Sequence, residues 1–264
     1  MADPAHYSSG RGPLALLFGL YAWSLFVLLA LAVVPALLLV PTLRGRRSLV
    51  RAVARTVLRL TGMRVRVLGL ERIGSPCVVV ANHQSYLDGV VLQAVLPTSF
   101  SFVIKREMSS VPLAGTLLRR IGAEFVERQD RHRGASDARR LLRNAAQGHA
   151  LAFFPEGTFS AEIGLLRFHI GAFAAAARAD LPVIPIAIRG TRGCLPPTRI
   201  LPAPGRIEVQ VLASIAPAAT GASDGAERAA RLRDLARDAL LAALGEPDLA
   251  IGSAGTDALA QQRG

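Results

Sequence analysis

Cys77-Val78-Val79-Val80-Ala81-Asn82-His83-Gln84-Ser85-Tyr86-Leu87-Asp88 passes directly from an apolar strand pattern into a polar turn. An imidazole and a carboxylate stand five residues apart just past the apolar run. Five residues is about 500° of helical rotation, so His83 and Asp88 would not share a helix face. They meet if the chain leaves a strand, turns at His83 and enters a helix near Ser85. A base held by a carboxylate at the mouth of a sheet suits removal of a proton from a hydroxyl. A plainer alternative stands beside this one. Ser85-x-x-Asp88 ahead of Gly89-Val90-Val91-Leu92 also fits a helix start in which Ser caps and Asp88 tends backbone N–H groups.

Working outward, Arg64-Val65-Arg66-Val67 alternates and reads as a strand with one solvated face. Apolar runs at 77–81, 101–104, 123–126, 150–155, 182–188 and 207–212 read as further strands, the inner ones buried. Helical patterns fall between them near 88–96, 112–120, 135–146 and 168–179. Alternating strand and helix predicts an α/β fold, with a mostly parallel or mixed central sheet flanked by helices.

Ahead of this domain, Leu14 to Val40 is 27 residues without a charge, about 40 Å if helical. A bilayer core is roughly 30 Å thick, and an ordinary signal core is shorter, so a retained N-terminal membrane helix is expected. Pro35 and Pro41 leave a re-entrant or interfacial segment open. The organisation read from the chain is a flexible start (1–13), a membrane helix (14–40), a basic amphipathic helix (41–62) and an α/β domain (63–213). A linker and closing helix (214–247) and a disordered tail (248–264) follow.

The net charge of +12 is unevenly placed. Arg44, Arg46, Arg47, Arg51, Arg55 and Arg59 fall within 41–62, which contains no acid. The positive-inside bias then puts the α/β domain on the cytoplasmic side of the membrane. Arg47, Arg51, Arg55 and Arg59 recur every four residues, as a stripe suited to anionic headgroups or simply solvated while a Val stripe packs. Cys77 and Cys194 have no CxxC spacing, and the five histidines show no metal-ligand pairing, so neither disulfide nor metal is expected. No phosphate-binding G-x-x-x-x-G-K occurs. Aromatic content of 5% without a stacking motif argues against nucleic acid as the partner of the positive charge.

The order His-x4-Asp, then Gly122 to Arg128, then Phe154-Pro155-Glu156-Gly157-Thr158, then Val183-Ile184-Pro185-Ile186 resembles the glycerolipid acyltransferase family. The resemblance runs from about Val65 to Val211 and implies acyl transfer from acyl-CoA or an acyl carrier protein to the free hydroxyl of 1-acylglycerol 3-phosphate. It implies His83 as general base with Asp88 behind it. Lys105 and Arg128 would contact the acceptor phosphate, while Glu156, Gly157 and Thr158 would shape the acceptor pocket. No cofactor beyond the thioester co-substrate is implied. Of 31 Lys plus Arg, Lys105 alone is lysine, and it stands where the family has one. One departure matters: the third block usually continues with Arg, and here Phe159 follows. Arg167 or Arg189 would fill that gap, or the acceptor is another lysolipid such as a lyso-ornithine lipid. A noncatalytic membrane-tethered polyanion binder is the reading from another class.

Overall fold

The computed structural model describes residues 12–74, 76–127 and 149–250, and between these only residues 137, 140, 141, 143–145 and 147. Seven strands form one sheet: β1 (Met63–Leu68), β2 (Val78–Ala81), β3 (Phe100–Lys105), β4 (Glu124–Val126), β5 (Ala150–Phe153), β6 (Val183–Arg189) and β7 (Gly205–Val211). Their order is β1-β7-β6-β2-β5-β3-β4. Every pairing is parallel except β6 with β7, where Ile186 faces Val211 and Arg189 faces Glu208. The mixed α/β sheet read from the sequence is therefore the fold, and its central strands are short and apolar because both faces are covered.

Successive side chains of β2 enter different cores. Val79 and Ala81 join the cluster under α2 (Leu43–Leu60) and α3 (Leu87–Val95). Val78 and Val80 join the one under α5 (Gly171–Ala179) and α7 (Gly225–Leu244). Among the described residues, further helices are α1 (Pro13–Leu39), α4 (Ala114–Arg120) and the short α6 (Thr191–Cys194), and residues 137, 140, 141 and 143–145 are also helical.

The uncharged run forms one continuous helix through Pro35, with Pro13 at its first turn, where a missing N–H removes no helix bond. Among the described residues α1 is the one helix long and apolar enough to cross a membrane. It folds back along α2. Val33 and Leu37 pack on Val50 and Ile121 at one end. At the other, the Tyr21 hydroxyl donates to the Leu60 carbonyl and Trp23 Nε1 to that of Ile200. A side chain at Gly19 would meet Leu201 at 2.6 Å, so glycine permits that approach. Residues 1–11 of the expected flexible start lie outside the described residues.

The arginine stripe of α2 is divided: its first half bonds to protein and its second half is exposed. Arg47 is buried, donating to the carbonyls of Ile121, Thr98 and Ser99 and to Ser101 Oγ. Arg51 and Arg55 donate to the carbonyls of Ala94 and Val95, the last turn of α3. A helix ends with carbonyls that have no partner inside it and with partial negative charge, which guanidinium groups satisfy. Val50 and Val57 are buried, so the Val stripe faces protein together with Arg47, while Arg55, Arg59 and Arg44 remain exposed.

The segment 214–224 is packed rather than a free linker: Ile215 bridges Val183, and Thr220 is buried in a short 3-10 turn. The folded part also continues into the expected tail. Asp248 pairs with Arg237 and bridges Leu165, and Leu249 N–H donates to the Leu165 carbonyl. Residues 251–264 lie outside the described residues.

Candidate active site

β2 lies centrally, with β6 and β5 as neighbours, and its chain departs toward β3 while β5 leads back across it to β6. A crevice at the carboxyl ends of parallel strands is expected where connections diverge in this way. The Asn82 amide marks the exit. It accepts from Ile188 N–H at 2.7 Å and donates to the Ile188 carbonyl at 2.9 Å, a side chain standing in for one more rung of the β2–β6 ladder. Gln84 Nε2 donates to that same carbonyl. Ser85 Oγ donates to the Leu195 carbonyl at 2.6 Å and accepts from Leu87 N–H at 3.1 Å as α3 begins.

Asp88, wholly buried in the first turn of α3, makes the contacts that both readings of this segment require. Its Oδ2 accepts from Gln84 N–H at 2.7 Å and Ser85 N–H at 2.8 Å, as a helix-start carboxylate does. The same oxygen lies 2.9 Å from His83 Nδ1. One carboxylate performs both tasks. With Nδ1–H donating to the carboxylate, Nε2 is left with its lone pair.

Glu156 closes the loop from beneath. Its Oε1 accepts from the His83 N–H at 2.6 Å and its Oε2 from Leu166 N–H at 2.9 Å. Burial pushes this carboxyl up from its ordinary 4.5 to about 8; the two N–H groups oppose that shift, and the nearby Asp88 charge adds to it. Its hydrogen-bond partners are backbone, so the side chain positions His83 and turns away from the mouth. The turn above it is made by Gly157, at φ 74°, whose N–H donates to the Phe154 carbonyl at 3.1 Å. Thr158 is exposed beside it.

Aromatic side chains enclose the imidazole, a feature the motifs did not announce. Phe154 stacks on the His83 ring at 4.2 Å and Phe159 meets it edge-on at 4.6 Å. Tyr86 in turn lies edge-on to Phe159 at 4.7 Å. The departure at position 159 thus puts an apolar ring directly on the histidine.

The cationic side is looser. Lys105 ends β3 with its ammonium 3.1 Å from Glu107, and both side chains are about half exposed, 47% and 50%. Next to it Arg106 and Arg140 clasp the buried Asp137, and Arg140 also pairs with Glu124 at 2.8 Å. This network pins β4, the strand that leads to Arg128, and was not foreseen because it joins residues far apart in sequence. Arg128 itself lies outside the described residues. Arg189 is occupied by Glu208, Gln210 and the Ala243 carbonyl, which removes it as a replacement for the absent arginine. Arg167 is exposed. Among the described residues no cluster of His, Cys, Asp and Glu could hold a metal ion.

Residues 64–189 match the family model described as Acyltransferase. The chain is 35% identical over 133 residues to the chloroplastic 1-acyl-sn-glycerol-3-phosphate acyltransferase BAT2 of Brassica napus, covering 49% of this chain and 38% of that one. It is 31% identical over 193 residues to acl-2 of Caenorhabditis elegans, provisionally named a 1-acyl-sn-glycerol-3-phosphate acyltransferase, covering 72% and 67%. It is 36% identical over 157 residues to a lyso-ornithine lipid O-acyltransferase of Rhizobium meliloti, covering 59% and 53%. The chain thus spans from 38% to 67% of the lengths of these relatives. The same fold occurs in the 1-acyl-sn-glycerophosphate acyltransferase PlsC of Thermotoga maritima. The TM-score is 0.70 at 22% identity, covering 86% of this chain and 94% of that one.

Proposed function

The chain belongs to the acyltransferase family, and from that premise we propose that it is an O-acyltransferase acting on lysolipids. The leading acceptor is 1-acylglycerol 3-phosphate, which would give phosphatidic acid for phospholipid synthesis, with acyl-CoA or acyl carrier protein as donor. His83 Nε2 takes the proton of the acceptor hydroxyl as its oxygen attacks the thioester carbonyl. The tetrahedral intermediate collapses, the carbon–sulfur bond breaks, and the imidazolium returns its proton to the departing thiolate. Asp88 orients the ring and stabilises its charged form. The observation that carries this reading is the 2.9 Å contact of His83 Nδ1 with Asp88 at the carboxyl mouth of the sheet.

A covalent acyl-enzyme has less support. Cys77 and Cys194 are buried, with their thiols pushed up to about 12 and about 11 by burial, far from a reactive thiolate. Ser85 is buried, with its hydroxyl engaged on backbone.

Lys105 and Arg128 are assigned to the acceptor phosphate, and Gly157 with Thr158 to the wall of its pocket. Phe159 favours a second reading, an acceptor without a phosphate beside the reacting hydroxyl, such as a lyso-ornithine lipid. α1 attaches the enzyme to a bacterial inner membrane with the α/β domain on the cytoplasmic side, supported by the uncharged helix and the arginines after it. Membranes containing the protein, given each donor type and a panel of lysolipids, test the proposal. The expected product is a diacyl lipid, fastest from lysophosphatidic acid. Release of free fatty acid in its place identifies a thioester hydrolase.

A further inference from the structure

Between β5 and α5 the chain runs through residues 154–170 with no helix or strand, and this stretch carries Glu156 and the turn beside His83. A loop so long stays ordered only when its middle is held, because every fixed residue loses backbone entropy. His169 N–H donates to the Pro155 carbonyl at 2.8 Å and ties the two ends together. The middle is held by the segment that follows α7. That helix stops at Gly245, whose φ of 64° suits glycine, and the chain turns back along the loop. Leu165 N–H donates to the Pro247 carbonyl at 2.9 Å, and the Leu165 carbonyl accepts from Leu249 N–H at 3.1 Å. Arg237 of α7 donates to that same carbonyl at 3.0 Å, while its guanidinium takes both oxygens of Asp248, at 2.6 and 2.5 Å. A side chain at Gly164 would meet Leu249 at 2.6 Å and the Pro247 carbonyl oxygen at 2.7 Å, so glycine lets the two segments lie together.

The Leu165 carbonyl and the Leu166 N–H belong to one planar peptide group. Arg237 and Leu249 hold its oxygen. Its N–H donates to Glu156 Oε2 at 2.9 Å, and the other oxygen of that carboxyl group accepts from His83 N–H at 2.6 Å. We propose that segment 246–249, with Arg237, is a positioning clasp for the base: it orients this peptide group and, through Glu156, fixes the backbone of His83. The peptide group turns as a unit, so freeing its oxygen lets its N–H swing off Glu156. A working base must be held to about half an ångström, and the clasp supplies part of that hold without touching substrate. The proposal rests on reading His83 as the base of an acyl transfer.

Full-chain variants in membranes test it. Arg237→Met keeps a long side chain and removes the bonds, and Asp248→Asn removes the charge that holds the guanidinium. Each should lower kcat about tenfold, the scale of a sub-ångström misplacement, with KM for lysolipid and thioester changed by less than about twofold. Arg237→Lys, which still reaches Asp248 and Leu165, should recover most of that loss. Leu232→Val, a change in the buried face of the same helix, should lower Tm at least as much and leave kcat intact. Hydrogen–deuterium exchange read by mass spectrometry should quicken several-fold in residues 155–170 of Arg237→Met and Asp248→Asn, and not in Leu232→Val. A loss of kcat that merely tracks Tm across the four variants overturns the clasp. So does quickened exchange with kcat unchanged, or a fall in kcat without quickened exchange. Quickened exchange at 155–170 in a protein whose wild type acylates no lysolipid leaves the clasp on the His83 loop standing and removes the proposed function.

Discussion

His83 and Lys105 both stand at the carboxyl edge of the parallel strands, yet the chain holds them in opposite ways. Asp88 fixes the His83 ring and Glu156 its backbone, both carboxylates are buried, and two phenylalanines close on the imidazole. Lys105 pairs at the surface with a half-exposed carboxylate, Glu107, and is itself half exposed. Chemistry that must repeat within tenths of an ångström is built from the core outward. On the proposed reading, recognition of the acceptor headgroup falls instead to long, half-exposed side chains on the rim. At position 159 the two regimes meet, since Phe159, in the loop assigned to the acceptor, lies edge-on to the His83 ring.

The comparison is strained most by releasing the imidazole. Asp88→Asn should reduce kcat by orders of magnitude through a wrong tautomer or orientation, and should lower thermal stability because the same oxygen holds two backbone N–H groups. In a protein already carrying His83→Ala, the same change should cost almost nothing further in turnover. Additive losses in this double-mutant cycle would separate Asp88 from the base.

Glu156 sharpens the contrast through pH. Its folded value lies above its ordinary one, so between 4.5 and about 8 the folded protein keeps a proton that the unfolded chain has released. Stability from this group is therefore greatest below that window and falls as pH rises through it. Glu156→Gln has no such titration, although it sacrifices one of two acceptors. The gap in Tm between wild type and variant should narrow from about pH 5 to about pH 8. A constant gap would mean that Glu156 stays ionised throughout.

Effects on the looser side should be smaller and confined to binding. Lys105→Ala and Arg128→Ala should each raise KM for lysophosphatidic acid roughly tenfold, about 1.4 kcal/mol, with kcat nearly kept. Phe159→Arg should shift preference toward lysophosphatidic acid over a zwitterionic lysolipid by a few-fold, read as a ratio of kcat/KM. Unchanged KM in both cation variants, with a zwitterionic lysolipid acylated equally fast, would make Phe159 the better guide to the acceptor.

The sheet was legible because its strands are apolar runs of strand length, separated by helical patterns and buried on both faces. The site was legible where side chains speak to side chains across five residues, as His83 and Asp88 do. It was illegible where side chains speak to backbone. The arginines of α2 look solvated in sequence, because the carbonyls at the end of α3 that bind them carry no letter of their own. The inward role of Glu156 was hidden for the same reason, its partners being the N–H groups of His83 and Leu166. The extension of the fold to Asp248 depends on Arg237 and Leu165, too far away for any local pattern to report.

The central claim is that His83 removes the proton of a lysolipid hydroxyl, and its most direct test is turnover of His83→Gln in the membrane that supports the wild type. With a labelled acyl thioester and a saturating lysolipid, the variant should attach and melt nearly as wild type does. Its diacyl product should form at least about 100-fold more slowly, as expected when a general base is lost. A variant that keeps more than about a tenth of wild-type turnover would contradict the assignment, since a base contributes far more than that.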